Sequence, residues 1–362
     1  MTLNSKKVIT IGILISYSRL YPNSTIDFLR NLKNVISESS LALVIQFKIE
    51  YLKVGELSNY DVSLQKILLE DPILIVTWLL PYQSQEIARQ TALLNIPLIN
   101  LNLGEVIPSQ SENLESGLFF HSLNLSESMF ELGKFAGENF LYANFRLMTS
   151  FIDSGYHFLS AFGLGLQQNK INTNLKITHI PSKERKDNIK IIGNQEPLLL
   201  NYHPRILNDI LNYNTVEGKA FVLPYSFEIE KLNISEYYFI SPINIESNNF
   251  KQDRSINPFR QLGIEVGGII KYFVSNLREN NYLFEFKRIW ETLNIRDDSY
   301  GYRITTYKNH TVRTGYLYKK EKEKSIELLH AIKFSEENLG EEYNKLSESI
   351  TCGFTQPYLI SK

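Results

Sequence analysis

The sequence predicts an α/β protein of two lobes, each an open, mostly parallel sheet flanked by helices. Three observations lead there. Short β-branched runs alternate with amphipathic stretches through the first hundred residues, as βαβ units require. The same alternation restarts after residue 121. A long helical stretch over 258–277 then has Ile264, Gly267, Gly268 and Lys271 on one face, which lets it pack closely and return the chain to the first lobe. At roughly 100–200 residues per domain, 362 residues are enough for two. The expected lobes are residues 1–120 with 244–300, and 121–243 with 301–362.

The elements follow in order. Residues 8–16 read as a buried first strand. In 25–37, Ile26, Leu29, Leu32, Val35 and Ile36 recur at helical spacing. A strand at 44–54 precedes a helix at 62–69 with Leu64, Ile67 and Leu68 inward, closed by Asp71-Pro72. Residues 73–78 read as a strand buried on both faces, 84–95 as a helix and 97–101 as a fourth strand. The strand at 118–121 carries the chain out of the first lobe. In the second lobe, helices are expected at 125–142, 155–168 and 204–211, and strands at 146–153, 175–180, 197–202, 220–225 and 238–243. The charge run at 182–187 reads as a solvated loop. Strands at 302–307 and 312–318 flank a hairpin-like turn at Lys308-Asn309-His310. Residues 321–362 give no clear pattern.

Composition excludes several classes. With 38 basic and 39 acidic residues the net charge is -1, so a polyanion footprint over the whole surface is absent and nucleic acid is not the expected partner. The single cysteine, Cys352, rules out an internal disulfide and a multi-thiolate zinc site. No apolar run reaches the ~18 residues that cross a bilayer, so no membrane insertion is expected. Lys6 and Lys7 precede the first apolar run as in a leader, but bulky Tyr17-Ser18-Arg19-Leu20-Tyr21 follows in place of a small-x-small cleavage site. The expected location is periplasmic if a leader was removed, and cytoplasmic otherwise.

Enzyme signatures are missing: there is no G-x-S-x-G, H-E-x-x-H or Walker loop. Phe162-Gly163-Leu164-Gly165 is half of a dinucleotide fingerprint, placed inside a helix without its strand or third glycine, so no cofactor is expected. The six histidines never pair at a metal-ligand spacing, and no metal is expected. Asp153 and Glu105 are carboxylates at strand ends without a second member. The informative feature is the residue set just after strand C-termini, where open α/β sheets bind ligands. It comprises Tyr17, Ser18, Arg19, Trp78, Asn102, Tyr156, His203 and Tyr225. Aromatic rings with hydroxyls and one guanidinium suit a small organic ligand with apolar surface.

The order of these segments resembles the type I periplasmic binding fold, and within it the branched-chain amino-acid (Leu/Ile/Val) binding proteins of ABC transporters. The resemblance is carried by Ile11 to Ser16 with Tyr21-Pro22, by Ile73 to Trp78, and by Glu86-Ile87-Ala88 leading to Ile96-Pro97-Leu98-Ile99-Asn100. Phe119 to Asn124 resembles the first hinge crossing, and Phe151 to Tyr156 with Ala161-Phe162 the start of the second sheet. The resemblance implies a non-catalytic protein closing two lobes on a ligand and presenting the closed form to a permease. An intracellular ligand sensor of the same fold, acting on a signalling partner, is the alternative. Two departures bear on the ligand. Trp78-Leu79-Leu80-Pro81 stands where the family has small hydroxyl residues for the ligand carboxylate, and Pro224-Tyr225-Ser226 lacks the acid that would hold an ammonium. The expectation is that Trp78 stacks on an apolar or aromatic part of the ligand, while Trp290 packs in the lobe body or at its outer surface.

Overall fold

The computed structural model describes residues 8–16, 22–52, 60–106, 117–140, 144–149, 157–168, 174–179, 192–202, 207, 211, 216–223, 232–247, 257–279 and 286–334. Strand β1 (Ile9–Ser16) pairs in parallel with β2 (Ile45–Leu52) on one side and β3 (Leu74–Thr77) on the other. Beyond β3 lie β4 (Leu98–Asn102) and β5 (Leu118–Ser122), also parallel, giving the order β2-β1-β3-β4-β5. This is the doubly wound pattern, with a switch point between β1 and β3.

The same plan recurs later in the chain. Strands β6 (Asn144–Thr149), β7 (Asn174–His179), β8 (Ile192–Asn201), β9 (Val216–Val222) and β10 (Ile234–Ser241) pair in parallel in the order β7-β6-β8-β9-β10. The last strands are β11 (Asn294–Asp297), β12 (Tyr302–Tyr307), β13 (His310–Glu321) and β14 (Glu327–Lys333), all joined by antiparallel pairing. Among the described residues the pairing is continuous over fourteen strands. Continuity depends on β13, whose two halves have different neighbours. Residues 310–313 pair with β12, and His310 also with Phe120 of β5, while residues 314–321 pair with β10 and β14.

Helices cover the sheet through apolar stripes. Helix α1 (Ser24–Ser37) buries Phe28, Leu29, Leu32, Val35 and Ile36, while Ile26 is half exposed. The inward stripe therefore turns on Phe28, not Ile26. Helix α2 (Tyr60–Leu68) buries Leu64 and Ile67. Helix α3 (Pro81–Ala92) starts three residues before the expected 84, because Pro81 suits a first turn whose N–H has no partner and Gln83 Oε1 accepts the Leu80 N–H at 3.1 Å. Helices α4 (Leu125–Asn139) and α5 (Phe158–Gln167) touch backbone to backbone: a Cβ on Gly165 would lie 2.0 Å from the Phe130 carbonyl oxygen. That contact explains Gly165, the second glycine of the half fingerprint. Helix α6 (Pro258–Glu279) returns to α1, where a Cβ at Gly267 would meet Val35 at 2.7 Å. Helix α7 (Phe286–Glu291) delivers Trp290, fully buried and stacked between Phe119 at 4.9 Å and Phe273 at 5.3 Å.

Where expected and observed elements differ, polar residues are the cause. Strand β8 begins at Ile192, five residues earlier than its apolar run, because Glu196 extends it and pairs with Arg146 of β6 at 3.2 Å. Short, mixed β11 and β14 carried no alternation strong enough to be read. The expected loop at 182–187 lies outside the described residues, as does most of the helix expected at 204–211. Among the described residues no helix is long and apolar enough to cross a membrane.

Candidate functional site

The strand C-termini of both sets carry buried polar residues that shape the loops above them. Thr77, the last residue of β3, donates its hydroxyl to Asn100 Oδ1 at 2.9 Å, and the Leu79 N–H donates to the same oxygen at 3.1 Å. Asn100 Nδ2 returns a bond to the Leu79 carbonyl at 2.9 Å, so one buried amide holds the whole turn from β3 into α3. In the second set, Asn201 at the end of β8 donates to Thr149 Oγ1 at the end of β6 at 3.2 Å. Both sets thus tie neighbouring strand ends with a Thr and an Asn.

Of the eight residues expected at the site, Tyr17, Ser18, Arg19, Tyr156, His203 and Tyr225 lie outside the described residues. Trp78 follows β3 and is 2% exposed, with its ring 5.4 Å from Phe259 and 6.5 Å from Phe28. It wedges α6 and α1 against the strand end, and its indole N–H has no acceptor among the described residues. Asn102 shapes the loop after β4: its Nδ2 donates to the Val106 carbonyl at 2.9 Å and its Oδ1 accepts the Gly104 N–H. Glu105 Oε2 accepts the Leu103 N–H at 2.6 Å, and the Glu105 carbonyl accepts the His157 N–H at 3.1 Å, linking the loop to the start of α5. Gly104 has φ +98°, and a Cβ there would lie 2.2 Å from the Leu125 nitrogen. Both described residues are buried in this structure.

Beside this face a charged cluster lies wholly inside the protein. Arg313 of β13 and Glu265 of α6 form a two-pronged ion pair, Nη1 to Oε1 at 2.9 Å and Nη2 to Oε2 at 2.7 Å. Gln261 Nε2 donates to Oε1 at 2.7 Å, and His121 Nε2 lies 3.0 Å from Oε2. Arg313 also donates to the carbonyls of Ser122 and Pro242 and, at 3.3 Å, to Asn124 Oδ1. His121 Nδ1 faces Thr311 Oγ1 at 3.0 Å, and Asn124 Nδ2 donates to the Thr311 carbonyl at 3.2 Å. Each stretch leading from one strand set toward the other is represented: the exit from β5, the exit from β10, and the middle of β13. One guanidinium ties all of them to α6.

Electrostatics keep this cluster in a single charge state. Burial by itself would push Glu265 up, but the charge of Arg313 and the hydrogen bonds from His121 and Arg313 outweigh it and hold the carboxyl down at about 2. Burial pushes His121 below the usual histidine value, against the pull of Glu265 and with the help of Arg313, so the imidazole stays neutral. The sequence contained a signal for this cluster. Glu265 sits among Leu262, Val266 and Ile269 on an apolar helix face, and Arg313 alternates with buried Thr311, Gly315 and Leu317. A charge at an inward position in both places points to a pair.

Among the described residues no group of His, Cys, Asp or Glu is arranged to hold a metal ion. Compared with known proteins, the chain matches no family model and no curated sequence.

Proposed function

We propose that the chain is a non-catalytic small-molecule binding protein of the type I periplasmic binding architecture, in which two lobes close on a ligand at the strand-end face. The ligand is an amino acid or a related small organic molecule, and the closed form is presented to an ABC permease. The observation that carries this reading is the repeated strand order on either side of β13, with exchange between the sets confined to stretches that Arg313 gathers. Such an arrangement concentrates movement at few backbone positions, which a hinge needs. Closure requires only that the ligand bind the closed state better than the open one. A micromolar ligand supplies about 8 kcal/mol, enough to shift a hinge equilibrium of a few kcal/mol.

A thermal-shift screen with branched-chain amino acids, aromatic acids and amides tests the reading. A binder is expected to raise the melting temperature progressively with concentration, as binding to the native state alone requires. Arg19→Gln should weaken a carboxylate ligand. If no compound of these classes stabilises the protein at millimolar concentration, the proposal fails.

A further inference from the structure

The face of β13 opposite Arg313 borders a second concavity. A cavity of ≈570 Å³ lies between the β11–β12 pair, the middle of β13, β14 and the turn after β10. It is thus bounded by elements of both strand sets. Its volume is in the range of small-molecule sites, roughly 300–1,000 Å³. Arg296 of β11 and Arg303 of β12 are direct cross-strand partners, so both side chains leave the same face of the pair, and both line the cavity. Like charges directly opposed in this way are unfavourable unless something balances them.

The balance is incomplete. Arg296 Nε donates to Asp298 Oδ1 at 2.8 Å, which accounts for one guanidinium. Arg303 has no hydrogen-bond or ion-pair partner among the described residues, and the same holds for the carboxylate of Glu246, which lines the same cavity. Among the described residues, one cation and one anion without partners therefore share a pocket without pairing with each other. A further observation lies at its edge: Ser247, only 8% exposed, is one of the lining residues, and its hydroxyl, buried just behind the cavity surface, finds no partner among the described residues. Gly301, at φ +71°, lets the turn after β10 pack closely against it, since a Cβ there would sit 2.6 Å from the Asn244 carbonyl and 2.9 Å from Ser247 Oγ. Tyr316 adds a hydroxyl whose proton is retained, because burial and Asp298 outweigh the three nearby guanidinium groups.

We propose that this pocket binds a small zwitterion of amino-acid size, its carboxylate on Arg303 and its ammonium on Glu246, with Tyr316 donating to the carboxylate and the orphaned Ser247 hydroxyl reached by a rotation of its side chain. The planar guanidinium matches a carboxylate with two parallel bonds. A dianion such as phosphate is disfavoured, because with Asp298 already spent on Arg296 the Glu246 carboxylate would oppose it. The site is lined by other residues than the strand-end face.

Isothermal titration calorimetry of the full chain with glycine, L-alanine and 4-aminobutyrate tests the proposal, with acetate and inorganic phosphate as single-charge and dianion probes. At least one zwitterion is expected to bind, and Arg303→Gln and Glu246→Gln should each weaken it about tenfold or more, whereas Arg19→Gln should not. Both pocket residues are exposed, so these variants should fold, which circular dichroism checks. Absence of binding by all three zwitterions up to about 10 mM overturns the proposal. So does binding that survives Arg303→Gln but is lost in Arg19→Gln, which would place it at the strand-end face. Acetate or phosphate binding as tightly as the zwitterions would also overturn it.

Discussion

Strand β13 carries two ion-pair clusters whose chemistry is the same and whose surroundings are opposite. At its first half, Arg313, Glu265 and His121 are sealed from water. At its second half, Lys319 reaches Glu236 at 3.5 Å and Glu321 at 2.6 Å, and Lys324 joins Glu321, all with partly or largely exposed side chains. Water screens the second cluster, so its pairs add little to stability whatever their distances. The first has no such screening, and removal of one member leaves the others without compensation. Charge at the surface end of β13 is a property of the surface, whereas charge at the buried end is part of the joint between strand sets.

The largest effect should come from breaking the buried pair on one side. Glu265→Leu strands the Arg313 guanidinium and should cost about 3–5 kcal/mol in urea denaturation. Adding Arg313→Met to Glu265→Leu should recover much of that loss, because no bare charge remains. A loss that is simply additive would mean the pair is not coupled as its geometry implies.

Next comes pH. Burial, with Lys308 adding, lowers His310 to about 4, so between the usual histidine value near 6.5 and about 4 the unfolded chain takes up a proton at His310 that the native one refuses, and His121, also lowered by burial, acts in the same direction below 6.5. Native stability must therefore fall as pH falls through this window, by about 1.4 kcal/mol per pH unit for each such histidine. Glu265, held down at about 2, adds a further loss below its usual 4.5. His310→Phe should flatten the slope by one proton. Smaller still is Thr311→Val, which removes the hydroxyl facing His121 and should cost about 1 kcal/mol. Glu321→Gln, at the exposed end, should lower stability in urea by about 0.5 kcal/mol or less, a difference that disappears at high salt.

Much of the α/β order was legible in the sequence, because strands buried on both faces, such as β3, and helices with apolar stripes, such as α1, declare themselves by period. Boundaries were read less well where polar residues extend an element, as Glu196 does in β8 and Pro81 in α3. The buried Arg313–Glu265 cluster is less legible for a different reason. Arg313 and Glu265 are 48 residues apart, and each alone resembles an ordinary charge on an amphipathic element. Only the inward parity of both positions gave them away. Trp78 shows the converse: its position after a strand suggested a ligand surface, while Phe28 and Phe259, remote in sequence, supply the packing that covers it.

The most direct test of the two-lobe account is an inter-spin distance across the strand-end face. Tyr82 at the start of α3 and Ser160 in α5 are exposed, one on each strand set, and can be replaced by labelled cysteines after Cys352→Ser. With a compound that raises the melting temperature, the account predicts that the distance distribution shifts to a shorter, narrower one at saturation, and that Glu265→Leu broadens it without ligand. An identical distribution in the free and saturated protein would contradict closure about β13.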